Sequence, residues 1–486
     1  MNTEWREDLG PLFQPETIAF IGASKSISKW GNIILSNILI GEFKGVVHPI
    51  NPKEEWILGL KVHRSVLDIE GPVDLAMIVT PAKLAPDILK DCAKKGVKSA
   101  IVVPGGFSEE GEAGAALEKE LARVAEAAGI RLVGPNTMGI FSGKKSLYAL
   151  MPPVRPKPGP VAFVAQSGNL GTQLMSIGQE HEIGFSGFAA SGNEAVLHCE
   201  DYLRYFGEDP DTKVVMAYIE GLDNGRSFID IAKKVSREKP LVVFKGGITA
   251  AGMKAASSHT GALAGSEEIF NAAFRQTGAI RAANPKQMLD LAWALSELPL
   301  PRTNRVGVLT WGGGWGVVTA DCCEKAGLEV APLSKKTIEK IDKLLPPYWS
   351  RGNPIDLVGT LDRHNHIACL EALIADENVD SAIVLGVVGG ATLITAQMET
   401  MQGAPAAVTA FVEAFEQMDR MIEEKMLELI DKYNKPIIGV ALYESYRPYK
   451  TGKGRMIVLQ EPHKAVNVLE QMFKYRQYLE SIGVER

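Results

Sequence analysis

The sequence predicts an α/β fold of three doubly wound parallel-sheet domains. Three observations carry this: apolar runs without polar alternation, helical-period segments between them, and two Pro-containing breaks. The runs TIAFIGA (17–23), GVVHPIN (45–51), DLAMIVT (74–80), SAIVVPGG (99–106) and RLVGPN (131–136) open the chain. A strand that is apolar at every position is buried on both faces, as inside a parallel sheet covered by helices. Residues 86–96 and 113–129 between these runs have the spacing of amphipathic helices. Strand and helix in alternation give a doubly wound sheet.

The Pro-rich stretch MPPVRPKPGP (151–160) predicts a linker, because neither a helix nor a central strand tolerates such a run of prolines. The alternation resumes with GPVAFVAQSG (159–168), GFSGFAASG (184–192), KVVMAYIEG (213–221) and PLVVFKGG (240–247). It breaks again at LPLPRTN (298–304), then continues with RVGVLTWGGG (305–314), SAIVLGVVGG (381–390) and KPIIGVALYE (435–444). The expected domains are 1–150, 159–300 and 303–486, and the segment around 396–434 reads as one extended helix of the third, a face for a partner.

Composition narrows the function classes. Of 486 residues, 46% are hydrophobic and 23% charged, ordinary for a soluble globular protein. The net charge of −6 and the absence of a basic stripe argue against nucleic acid. Five cysteines, an odd number without a CxxC pair, fit reduced thiols in a cytoplasmic protein and argue against a metal or disulfide framework. The N-terminal residues lack a signal-peptide pattern, and no apolar stretch approaches the roughly 20 residues that span a bilayer.

Strand ends hold the candidate binding residues. In IGASKSISKWGN (21–32), Gly22, Ala23, Ser24 and Lys25 form a turn into a helix, a place where free N–H groups meet phosphate, and Lys29 could add a contact. The spacing is not GxGxxG, and an ordinary strand–helix turn would read the same. After the second run, Asn51, Pro52 and Lys53 stand where NAD enzymes place an acid. A Lys there suits a phosphorylated ribose, which CoA has and NAD lacks, although it also reads as a solvated loop charge. Thr80 and Pro81 lie at the third strand end, with VPGGFSE (103–109) and VGPNTMG (133–139) at the next two. Gln166, Ser167, Gly168 and Asn169, and then Ser191, Gly192 and Asn193, repeat the arrangement as phosphate or oxyanion cradles, or as simple helix caps.

The most pointed signal is KGGITAAGMKAASSHTGALAGS (245–266), a small-residue loop with His259 between Ser258 and Thr260, and with Lys245 and Lys254 supplying charge. A core histidine normally sits among larger apolar neighbours. An imidazole in such a loop can accept a phosphoryl group and pass it on. Its second ring nitrogen then needs an acceptor, and Glu220 at the end of AYIEG (217–221) is the candidate.

With these residues in place, the chain resembles the α subunits of ADP-forming acetyl-CoA synthetases, relatives of the succinyl-CoA synthetase α chain within the nucleoside-diphosphate-forming acyl-CoA synthetases. GAS (22–24), INP (50–52), VTPA (79–82) and VGPNTMG (133–139) match its CoA-binding domain. QSG (166–168), SGNEA (191–195), YIEG (218–221) and SHTGALAG (258–265) match the second domain; WGGGWGVVTAD (311–321) and GNPIDLVG (352–359) match the third.

The resemblance implies a Rossmann-like CoA-binding domain followed by two flavodoxin-like domains. It implies a cytoplasmic acid–thiol ligase that interconverts acyl-CoA, ADP and phosphate with acid, CoA and ATP through an acyl phosphate and a phosphohistidine. By the same carry-over, His259 is phosphorylated, Glu220 orients its ring, Ser167 and Gly168 cradle the phosphoryl group, and the Gly22 and Lys53 regions hold CoA. It further implies a mobile loop over 246–266. No segment reads as an ATP-grasp module, so the expected partner is a separate ATP-grasp β subunit in a hetero-oligomer such as α2β2, holding Mg²⁺ with ADP or ATP. This chain itself offers no metal ligands. Two alternatives stay open at this point: a CoA-binding scaffold without catalysis, and a nicotinamide-dependent dehydrogenase, disfavoured by the missing GxGxxG.

Overall fold

The computed structural model describes residues 8–249, 251–252, 254, 267–360, 362–399, 406–443, 446–451 and 454–484. The chain divides into two compact units, Met1–Ala292 and Trp293–Arg486.

The first unit contains two sheets. One is built from β1 (Thr17–Ile21), β2 (Val46–Ile50), β3 (Leu75–Ile78), β4 (Ser99–Val102) and β5 (Arg131–Val133), in the order β2-β1-β3-β4-β5 and parallel throughout. Successive side chains of a strand point to opposite faces. Ile18 and Phe20 of β1 therefore enter one apolar cluster while Ala19 and Ile21 enter another, under the helices Ala85–Lys95 and Glu112–Ala128. Burial on both faces is why these strands read as unbroken apolar runs.

The second sheet holds β6 (Gly139–Ser142), β7 (Leu147–Leu150), β8 (Pro158–Ala165), β9 (Phe185–Ala190), β10 (Val214–Ile219), β11 (Leu241–Lys245) and β12 (Ile280–Arg281), in the order β12-β11-β10-β8-β9-β6-β7. Its first five members are parallel, but β6 pairs antiparallel with β9 and with β7. The hairpin over 139–150, expected within the first domain, thus extends the second sheet. At its start Gly139 has φ +97°, and a Cβ there would stand 1.9 Å from the Ala149 carbonyl oxygen. The Pro-rich linker also ends sooner than expected, because β8 already begins at Pro158. Prolines are tolerated at the start of a strand. The β8–β9 register shifts between Pro158 and Val161, and Gly159 lies so close to Gly184 that a Cβ would meet its Cα at 2.4 Å.

A single apolar cluster runs from Ile18, Phe20 and Met77 of the first sheet to Ala162, Val164 and Val215 of the second. Phe13 extends it, stacking on Tyr205 at 4.8 Å.

In the second unit, β13 (Arg305–Thr310), β14 (Glu329–Val330), β16 (Ser381–Leu385), β17 (Ile437–Val440) and β18 (Val458–Leu459) follow the order β14-β13-β16-β17-β18, with β15 (Ile355–Asp356) on β13. The segment expected as one helix contains two among the described residues, Gly390–Glu399 and Ala406–Tyr433. The longer one turns two acids inward, both fully buried. Asp419 accepts from the Ala391 N–H at 3.2 Å, and Glu423 accepts from the Tyr446 hydroxyl and from the Tyr449 N–H at 2.7 Å. Burial pushes the Glu423 carboxyl up to about 7.

The turn after β1 depends on a close backbone approach. A Cβ on Gly31, in the first turn of the helix Trp30–Ile40, would lie 2.0 Å from the Gly22 carbonyl oxygen. Gly31→Ala is therefore expected to destabilise the protein by about 1–3 kcal/mol. Gly225→Ala, at a helix start with open space around it, should be neutral or stabilising by up to about 1 kcal/mol. Denaturant unfolding of both variants checks the contrast.

Candidate functional site

The carboxyl ends of the two sheets in the first unit face one cleft of about 780 Å³. Ligands bind at such strand ends where the strand order reverses, here between β1 and β3. Of the residues expected to hold CoA, Gly22, Ala23, Ser24, Asn51, Thr80 and Pro81 line the cleft, and Lys29 joins them. Lys25 does not; it pairs with Glu54 at 2.6 Å. Pro52 and Lys53 are exposed and stand outside the cleft wall. Asn51 acts as a brace, donating to the Ala23 carbonyl at 2.8 Å and accepting from the Lys53 N–H at 2.9 Å. The Thr80 hydroxyl oxygen is buried with no hydrogen-bond partner among the described residues.

From the second sheet come Gln166, Ser167, Gly168 and Asn169, then Gly192 and Asn193. Ser167 caps the helix Gly168–Glu180 by accepting from the Leu170 N–H. First-turn N–H groups have no partner within a helix, and the dipole there is positive. Gly168 packs against Met138, which a Cβ would meet at 2.5 Å. Gly192 has φ +66° and lies against the Pro135 carbonyl, 2.3 Å from a hypothetical Cβ.

Asn193 joins the two sheets. Its amide donates to Glu109 at 2.6 Å and to Glu118 at 2.8 Å, and its oxygen accepts from Asn136 at 3.2 Å. Burial alone would raise the Glu109 carboxyl. The Asn193 amide and the N–H groups of Gly106 and Phe107 hold it below its ordinary value instead.

Ser191 and Glu220 sit behind the cleft wall, 0% and 9% exposed. The Glu220 carboxylate accepts from the Tyr218 hydroxyl at 3.0 Å, and its backbone N–H donates to the Gln166 side-chain oxygen at 2.5 Å. Burial, and then the neighbouring Glu220, raises the Tyr218 phenol. Lys245, expected to lend charge to the histidine loop, is 2% exposed and turned inward. Its ammonium donates to the carbonyls of Glu220, at 2.7 Å, and Gly246, and lies 4.7 Å over the Phe270 ring. Burial lowers its pKa against the opposing pull of Glu220. His259 lies outside the described residues.

Sequence reasoning passes over several residues at this site. Trp30 and Met138 line the cleft, and Glu194, inside the SGNEA motif, contacts Gln166 and Ser191. The motif itself is the available signal for Glu194. Among the described residues, no group of three or more His, Cys, Asp or Glu side chains is arranged to hold a metal ion.

Three family profiles match the chain in order: a CoA binding domain over residues 16–142, a succinyl-CoA ligase like flavodoxin domain over 158–295, and a ligase-CoA domain over 306–420. The acetate–CoA ligase [ADP-forming] II subunit alpha of Pyrococcus furiosus is 39% identical over 93% of this chain and 97% of that protein. The acetate–CoA ligase [ADP-forming] I of Archaeoglobus fulgidus is 41% identical over 82% of this chain, but the match spans only 56% of that longer protein. Among solved structures, dinucleotide forming acetyl-coenzyme A synthetase 1 of Ca. Korarchaeum cryptofilum, in complex with phosphate and ADP, superposes with a TM-score of 0.84 at 34% identity, covering 99% of this chain and 100% of that one. The chain belongs to the α-subunit family of ADP-forming acetyl-CoA synthetases.

Proposed function

We propose that the chain is the α subunit of a nucleoside-diphosphate-forming acyl-CoA synthetase, working with a separate ATP-grasp subunit. The observation that carries this is one cleft shared by a dinucleotide-type strand-end site and a capped helix N-terminus, with the buried Glu220 carboxylate behind it. In the proposed reaction, phosphate attacks the acyl thioester and the thiol leaves, giving an acyl phosphate. A nitrogen of His259 then takes the phosphoryl group and the carboxylate departs. The phosphohistidine finally delivers the group to ADP, with Mg²⁺ held mainly by the partner.

The cleft fits CoA on two counts. Its turn at Gly22 and Gly31 leaves no room for a Cβ, which seats the helix Trp30–Ile40 directly on the strand end with its first turn at the cleft, and the Thr80 hydroxyl lacks a partner among the described residues that a ligand polar group can supply. When bound, CoA supplies the thiol that carries the acyl group.

Residues of the chain itself do the positioning. First-turn N–H groups of the helix Gly168–Glu180 stabilise charge on phosphoryl oxygens. Glu220 holds the imidazole so that one nitrogen faces phosphorus, and orientation of this kind accounts for much of the rate of such transfers.

Labelled ATP and Mg²⁺ with the co-purified partner should place an acid-labile label on this chain. The label should vanish in His259→Ala; a label that survives the change rejects the assignment. Thr80→Val should leave the unfolding midpoint unchanged or higher, since it removes an unpaired buried hydroxyl. It should also weaken CoA binding by about two- to tenfold in titration calorimetry.

A further inference from the structure

We propose that Glu194 is the positioning residue of this site, fixing the amide of Gln166 and, through it, the place of Glu220. The inference rests on the function proposed above and deepens it.

Gln166 is held at both ends of its amide. The oxygen accepts from the N–H groups of Glu220, at 2.5 Å, and Gly221, at 3.1 Å. The nitrogen donates to the Gly221 carbonyl at 2.9 Å and to Glu194 Oε1 at 3.2 Å. A flipped amide would set its nitrogen against two donors and its oxygen against the Gly221 carbonyl and Glu194, so the four contacts together select one orientation. Glu194 is itself fixed by Ser191, whose hydroxyl donates to the same Oε1 at 2.6 Å. The chain of hydrogen bonds therefore runs from Ser191 to Glu194, to Gln166, and to the backbone that carries the Glu220 carboxylate.

Glu194 breaks two local preferences at once. It has φ +56°, in the left-handed region, and its side chain is only 12% exposed. A left-handed backbone is unfavourable for a residue with a side chain, and burial of an acid adds to that cost. Gly would serve a purely structural turn better, and such departures concentrate at functional sites.

The titratable groups around it are Glu200, Asp201, Cys199 and Tyr202 on the helix Cys199–Glu208, with His198 at its cap. The His198 ring stands 3.8 Å from Glu194 Oε2 and 3.7 Å from Asp223, which follows β10. Burial, reinforced by Glu200, raises the Glu194 carboxyl to about 8. The shift favours the protonated carboxyl at neutral pH. The Ser191 hydroxyl and the Gln166 amide both donate to Oε1, and the Cys199 backbone N–H also donates to the carboxyl group. The folded-state pKa is raised, so the associated stability is full below about 4.5 and is lost as pH rises through about 8.

The test uses the full chain with its partner subunit and two variants, Glu194→Gln and Glu194→Ala. Amide hydrogen exchange of Glu220 and Gly221 reads the latch whatever the chemistry. Exchange at least tenfold faster in Glu194→Ala, with protection retained in Glu194→Gln, is expected. Wild-type exchange in Glu194→Ala overturns the proposal.

The rate of histidine labelling against pH separates positioning from simple stability. The wild-type rate should fall above pH 8 as Glu194 ionises. Glu194→Gln, which stays neutral, should hold its rate there, and Glu194→Ala should be at least tenfold slower throughout. A Glu194→Gln profile that falls as the wild type does overturns the proposal. Faster exchange in Glu194→Ala, in a wild type that takes no label, supports the latch and rejects the histidine assignment instead.

Discussion

The shared apolar core of the first unit is the constraint on which its chemistry depends. Two sheets that bury side chains in one cluster are held in a fixed relation, and their strand ends open into the same cleft. The two sets of loops bring different groups to it: one carries the Gly22 turn and Thr80, the other the Ser167 cap and the Gln166 amide. Asn193 reinforces the arrangement at the rim, where a single amide reaches Glu109 and Glu118 of the first half from a loop of the second. Within such a frame the packing of large apolar surfaces brings a capped helix end and a buried carboxylate to the same cleft, and the polar contacts fix their final orientation.

Much of the fold was legible because parallel strands buried on both faces leave unbroken apolar runs. β1, β3, β4, β10 and β11 fall inside runs visible in the sequence. What stayed hidden were elements without that signature. The hairpin β6–β7 is four residues per strand and lies at a sheet edge, and β12, β14, β15 and β18 are two residues each. Strands that short carry no periodicity. The prolines at 158 and 160 read as a break, yet a strand begins among them because its first residues have little need of an N–H donor. The inward turn of Asp419 and Glu423 was equally invisible, since charged residues on a long helix ordinarily face water.

The site was legible in part, and the split follows chemistry. Glycines and small polar residues at strand ends announce backbone geometry, and Gly22, Thr80, Gln166 and Gly168 all line the cleft. Lysines announce only charge. Lys25 pairs with Glu54, Lys53 stands in solvent outside the cleft wall, and Lys245 is occupied by two carbonyls. Glu194 does not stand out within its motif, because its role depends on partners 28 and 3 residues away that only the fold brings together.

The antiparallel hairpin over 139–150 has a further consequence for how the chain can be divided. It is the covalent passage from the first sheet to the second and also the neighbour that covers the outer edge of β9. A scission in the proline-containing segment that follows would carry the hairpin away with the N-terminal piece and leave the C-terminal piece with a six-residue strand bare along one side. Unpaired backbone of that kind seeks strands from other molecules. Evolutionary shuffling of these halves, or their separate expression, therefore has to respect a boundary before Gly139, although the prolines that look like a seam come afterwards.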